Sequence, residues 1–311
     1  MKTQRNQSGR LRLLLRRPPG GALPHSILLY SLLIPVSAGL IAACARHVPD
    51  YADNDQVTVT PDSCSFRIGF SIENSISESH LPVARLDLFA YDADRVGDLL
   101  DSRRYDHLPD SVLLYGSDRD RLIVAIANSP HDFNDGALAR YDSIELLTYD
   151  FADDSPPQPL MSGMCEVAAG GSASVTLTPL MARVQLGEIS NCMTGYTRLE
   201  NPRLYLDNMN ASAEVLRTVG FRPTETLSDP RPTPLPYDVG IFPQNPGTEL
   251  FCYPNDTPGT IGTPATALVL ECEIRGATCR FTTPIPSIPR NSTTRIDLTV
   301  SGPSTFESKI Y

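Results

Sequence analysis

The chain has 311 residues, with 26 Lys and Arg against 36 Asp and Glu, and a formal net charge of −10. Such an acidic chain lacks the clustered bases that phosphate contacts need, so a nucleic-acid partner is not expected. With 28 Pro, 20 Gly and no Trp, the composition points to many short strands broken by turns, an all-β chain rather than a helical one.

The first 43 residues differ from the rest. Lys2, Arg5, Arg10, Arg12, Arg16 and Arg17 are its charges, with no acid, and an apolar run follows from Ile27 to Ala43. That run contains Pro35 and falls short of the roughly 20 residues of a spanning helix, so it reads as an export signal. Its end, Leu40-Ile41-Ala42-Ala43-Cys44, resembles a bacterial lipobox. The resemblance implies cleavage between Ala43 and Cys44 and a lipid on the Cys44 sulfur. Without the leader the chain carries 20 bases against 36 acids, a charge of −16. The lipid rather than charge would then do the anchoring, since anionic headgroups attract bases. Residues 44–60 are polar and read as a flexible tether.

Phe66, Ile68, Phe70 and Ile72 alternate with Arg67, Gly69 and Ser71, the period-2 pattern of a half-buried strand. A second strand is expected over Val83–Tyr91, and a turn over Asp92–Gly97. Val112–Tyr115 follows. Leu122–Ala127 has no polar interruption and should be buried on both faces. Asp135–Leu147 is the one helical candidate. Asp153–Pro159 reads as loop, and Ser162–Val167 and Ser174–Leu177 as closing strands. A boundary is placed at Pro179, dividing the chain into units 61–179 and 180–311.

In the second unit, Ala182, Val184 and Leu186 alternate, as do Leu204 and Leu206. Pro223–Pro264 holds ten prolines, and proline cannot donate to a ladder, so this stretch should be loop with one short strand at Glu249–Tyr253. Leu268, Leu270, Cys272 and Ile274 share a face, Arg275-Gly276 forms a two-residue turn, and Ala277, Cys279 and Phe281 return. That register sets Cys272 opposite Cys279, at a spacing a disulfide tolerates; two buried thiols are the alternative. Asn291–Ser301 is a last strand, and Pro303–Tyr311 a tail that is either a donor segment or a frayed end.

Several of these segments, in this order, resemble the fimbrillin family of the Bacteroidales. They are Val83–Asp94, Leu122–Asn128, Leu160-Met161-Ser162-Gly163, Val175–Leu186, Phe251–Asn255, Ile288-Pro289-Arg290-Asn291 and Thr294–Val300. The resemblance implies two tandem transthyretin-like β-sandwich domains after a lipoprotein signal peptide. It also implies an outer-membrane, surface-exposed location and partnership with other fimbrial subunits by strand donation, a form of β-augmentation. Shaft subunits of such filaments are matured by cleavage after an arginine. Arg67 and Arg85 both fall inside expected strands, which favours an anchor or accessory subunit over a shaft or tip adhesin.

No catalytic or metal-binding motif is apparent: no G-x-S-x-G, H-E-x-x-H, P-loop or C-x-x-C occurs. The histidines, His25, His47, His80, His107 and His131, show no metal-ligand spacing. No enzyme activity, cofactor or metal is expected. A surface glycan-binding lipoprotein is a further alternative, which the absence of Trp disfavours.

Overall fold

A computed structural model describes residues 64–311 apart from 94–96, 134, 135, 137, 217–224, 228–231 and 257. The leader, the tether and most of the Asp92–Gly97 turn lie outside the described residues. The described residues all belong to one compact unit.

Its N-terminal half holds β1 (Cys64–Ile72), β2 (Leu86–Asp92), β3 (Leu99–Tyr105), β4 (Ser111–Gly116), β5 (Arg121–Ala127), the short helix α1 (Tyr141–Glu145), β6 (Thr148–Asp150), β7 (Met161–Val167) and β8 (Ser172–Pro179). Seven of the strands make one sheet in the order β3-β2-β5-β7-β8-β1-β4. One core joins its two arms: Phe66, Ile68, Val112 and Val175 from one side pack with Leu86, Leu88 and Ile123 from the other. The sheet is therefore closed over itself, with β7 and β8 as the shared corner. Their backbones approach so closely that a Cβ on Gly163 would stand 2.1 Å from the Thr176 carbonyl oxygen, a contact only glycine allows.

The uninterrupted apolar run of β5 is explained by its position. Ile123, Ala125 and Ala127 face the core just described. Leu122, Val124 and Ile126 face a second cluster with Tyr91, Tyr141, Ile144 and Tyr149. That cluster also takes in Leu180, Met181, Val215 and Tyr253 from farther along the chain, so apolar packing runs unbroken from one half into the other.

The C-terminal half holds β9 (Ala182–Asn191), β10 (Glu200–Asp207), β11 (Met209–Asn210), β12 (Ser212–Glu214), β13 (Thr226–Leu227), β14 (Thr233–Pro234), β15 (Glu249–Cys252), the turn of helix α2 (Pro258–Ile261), β16 (Ala267–Ile274), β17 (Ala277–Pro284), β18 (Thr293–Gly302) and β19 (Thr305–Ile310). Two four-stranded sheets, β14-β10-β16-β17 and β15-β9-β18-β19, enclose a third core. Leu204, Leu268, Leu270 and Phe281 meet Val184, Leu186, Ile296, Leu298 and Val300 there. The β16–β17 turn is the expected one: Arg275 and Gly276 both have positive φ, 54° and 77°, the geometry of a two-residue hairpin turn.

The chain is all-β, as its composition implies, with differences in detail. The helix is one short piece, Tyr141–Glu145, rather than Asp135–Leu147. Arg85 lies just before β2, not inside it. The strand β3 is not anticipated by any alternation, because Leu99–Tyr105 carries Asp101, Arg103 and Arg104 in its middle. The tail is not a frayed end: β19 pairs with β18 from Ile296 opposite Ile310 to Gly302 opposite Thr305.

Candidate functional site

The terminal strands, the sheet edges and the joint between the two halves are the places where a strand-rich fold can add or exchange a strand with another chain. β1 is not an edge. It lies antiparallel to β4, with Cys64 opposite Gly116, and parallel to β8, from Arg67 opposite Ser172 to Ile72 opposite Leu177. Phe66 and Ile68 are buried at 1% and 0% exposure, while the Arg67 side chain is exposed and its N–H donates to the Gly171 carbonyl. The second half repeats the pattern: its first strand, β9, lies parallel to β18 from Arg183 opposite Thr293 to Asn191 opposite Val300.

β19 is the outer strand of its sheet and mostly exposed. Phe306 is its apolar contact, packing on Phe281 with ring centroids 5.4 Å apart. At its end Tyr311 is met by Lys309 and Arg295, whose cationic groups lie 4.8 and 5.9 Å from the ring, and its N–H donates to the Arg295 carbonyl at 2.9 Å.

The joint is built by Ile288-Pro289-Arg290-Asn291. Part of Arg290 stays accessible, but its guanidinium is enclosed. It donates to the carbonyl oxygens of Pro179 at 2.9 Å, Val215 at 2.8 Å, Ser162 at 3.3 Å and Thr178, and to the Ser162 hydroxyl at 3.0 Å. A guanidinium offers five N–H donors in a fixed fork, and here they meet main-chain acceptors from both halves. Burial lowers its pKa to about 10, opposed by the neighbouring Tyr253 and Asp154. Asp154 is itself enclosed, and burial raises its carboxyl above the usual range although the Leu160 and Ser155 N–H groups donate to it. Asn291 has the left-handed φ of 52° that asparagine tolerates. Its N–H donates to the Met181 carbonyl at 3.0 Å and its side-chain amide to the Glu73 carbonyl at 3.2 Å.

A second polar hub sits in the N-terminal half. Asp87, 1% exposed, accepts from Arg85 and Arg104, each at 2.8 Å, and both arginines also face Asp132. This fixes the segment around His131, whose ring stacks on Tyr149 at 4.9 Å.

Of the residues singled out in the sequence, Ala43 and Cys44 lie outside the described residues. Cys272 and Cys279 do face each other across the hairpin, and both are free thiols here. Burial pushes the Cys272 thiol up to about 12, with Cys279 adding to the effect. Among the described residues no helix is long and apolar enough to cross a membrane, and no group of three or more His, Cys, Asp or Glu could hold a metal ion. Sequence reasoning singled out Arg290 and Asp87 only as letters in weak motifs; a lone buried arginine has no periodic signature.

No family model and no curated protein matches the chain. Solved structures do. A candidate cell adhesion protein from Bacteroides eggerthii superposes with a TM-score of 0.59 at 12% identity, over 82% of this chain and 97% of that one. A fimbrial assembly protein from Parabacteroides distasonis gives 0.53 at 12%, over 80% and 95%. The tip fimbrial protein Mfa3 from Porphyromonas gingivalis, truncated at its C-terminus, gives 0.53 at 11%, over 80% and 98%. The chain thus has the β-sandwich fold of fimbrial and cell-adhesion proteins of the Bacteroidales. That agrees with the fimbrillin resemblance of its sequence.

Proposed function

We propose that the chain is a structural, non-catalytic subunit of a cell-surface fimbria, lipid-anchored through Cys44 to the outer membrane, which anchors or regulates the filament through strand donation to other subunits. Residues 61–179 and 180–311 serve as its two tandem domains. The observation that carries the reading is the setting of β1. It is an inner strand whose Phe66 and Ile68 complete the first core, so a subunit keeping this strand stays closed at that end and remains joined to whatever holds its N-terminus. A mass spectrum of the native N-terminus tests it: a diacyl or triacyl Cys44 is expected, and a mature start beyond β1 would refute the anchor role. A strain lacking the protein should shed its filaments or lose control of their length.

The fold likeness to a tip fimbrial protein favours one second reading, a tip or shaft subunit matured by cleavage at Arg67. Cleavage there would remove Phe66 from the core and leave Ile68 in place, so the groove between β4 and β8 would open only in part.

A further inference from the structure

The order and direction of the long strands imply a mechanical property that does not depend on which filament the chain serves. In the first half, the strand where the chain enters, β1, lies parallel to the strand where it leaves, β8. Two residues later the chain enters the second half on β9, which lies parallel to β18. The same arrangement thus occurs twice, in series along one chain.

Consider tension applied between the chain ends. It pulls β1 from its N-terminal end and β8 from its C-terminal end. For parallel neighbours, those two forces drag one strand lengthwise past the other. The ladder bonds run across the strands, so the bonds between Arg67 and Glu73 on one side and Gly171 and Leu177 on the other are strained together. The force passes through Leu180 and Met181, both 0% exposed, and enters β9 the same way. Its bonds to β18 extend from Arg183 N–H on Ser292 to Cys192 N–H on Val300, both 2.8 Å. An antiparallel pair held at one shared end instead opens a single bond at a time. β19 has that weaker geometry: its free end, Tyr311, lies beside the start of β18.

The joint sits between the two parallel ladders. Arg290 holds Thr178 and Pro179 at the exit of β8. Asn291 holds Met181 at the entry to β9 and Glu73 just past β1. The segment that binds both places leads directly into β18. We propose that β1–β8 and β9–β18 are two load-bearing clamps in series, joined through Arg290 and Asn291, and that the chain is built to resist tension applied between its ends.

Single-molecule pulling on the full chain tests this with two handle geometries. Handles at Ser63 and Tyr311 load both clamps lengthwise. Handles at Ser63 and Ser117 pull β1 and β4 from the end where Cys64 faces Gly116, which peels the same β1 one pair at a time. Rupture force in the first geometry is expected to be at least about two-fold higher, because a minimum of two ladder bonds then carry the load together. It should be preceded by a short low-force extension as β19 peels away. Equal forces in the two geometries, or a higher force between Ser63 and Ser117, would overturn the inference. Filament assays bear on the proposed function separately, so either can fail without the other.

Discussion

The side-chain oxygen of Asn291 accepts a hydrogen bond from the Ser75 N–H at 3.0 Å, across 216 residues of chain. With Arg290 beside it, one loop of the C-terminal half thereby closes onto the segment just past β1 and onto the end of β8. The halves share a buried apolar cluster as well, so they should unfold as one unit.

Replacing Arg290 tests that directly. Arg290→Met takes the guanidinium donors away from the carbonyls of Pro179, Thr178 and Ser162 in a closed site, while the Val215 carbonyl keeps the Ser162 hydroxyl. Unsatisfied buried groups each cost about 1–3 kcal/mol, so a total loss of roughly 3–5 kcal/mol is expected. Arg290→Lys should recover little, because a point charge cannot reproduce the fork. Urea unfolding followed by two probes, one in each half, should give coincident transitions for the wild type and separated ones for Arg290→Met. Coincident curves with an unchanged midpoint would show that apolar packing alone welds the halves.

Asp87 predicts a different outcome. Its carboxylate is almost fully buried between two guanidinium groups, and removing one member of such a network leaves buried charge poorly compensated. Asp87→Asn should destabilise by about 3 kcal/mol. It should also raise amide exchange in the segment around His131, which Arg85 holds through the His131 carbonyl. An exchange pattern confined to β2 would mean that the hub does not fix that segment.

How much of this was legible beforehand depends on the type of signal. Phe66 and Ile68 in β1, the unbroken β5 and the Arg275-Gly276 turn follow from local rules of period and φ, and each stands where those rules put it. Leu99–Tyr105 does not, because its polar residues are half-buried against neighbouring charges rather than alternating between core and water. Arg290, Asn291 and Asp87 were illegible for a stronger reason. The partners of Arg290 and Asn291 lie far off in sequence, and Asp87 is enclosed by Arg85 just before its strand together with Arg104 from the neighbouring β3; nothing in an isolated Arg-Asn pair or in a lone strand Asp distinguishes it from a solvated one. The likeness to fimbrillins marked the right segments without explaining them; the geometry supplies the explanation, as closing points of loops.

The enclosed Asp154 should leave a mark on the pH dependence of stability. Burial raises its pKa in the folded protein, whereas in the unfolded chain it titrates near the ordinary 3.8. Between those two values the folded state binds more protons than the unfolded one, so this group's contribution falls as pH rises through the window. Asp154→Asn keeps an acceptor for the Leu160 N–H and removes the ionisation. The difference in unfolding free energy between variant and wild type should therefore shift in the variant's favour from pH 4 upward, as read from urea midpoints at a series of pH values. Parallel curves would mean that the carboxylate is already fully compensated by Arg290 and Tyr253.

The cysteines provide the last test. Burial pushes the thiols of Cys252 and Cys272 up to about 12, which leaves almost no thiolate near pH 8, and only the thiolate is nucleophilic. Cys192 is exposed. A thiol-alkylating reagent applied to the reduced native protein should label Cys192 within minutes, and Cys252 and Cys272 only at the rate of unfolding. Tandem mass spectrometry of unreduced protein from the cell envelope then decides the hairpin pair. A linked Cys272–Cys279 peptide is the outcome expected if the opposed register is used in an oxidising compartment. Recovery of both as alkylatable thiols after unfolding would assign them instead to the core, as small apolar side chains packed beside Leu270 and Phe281.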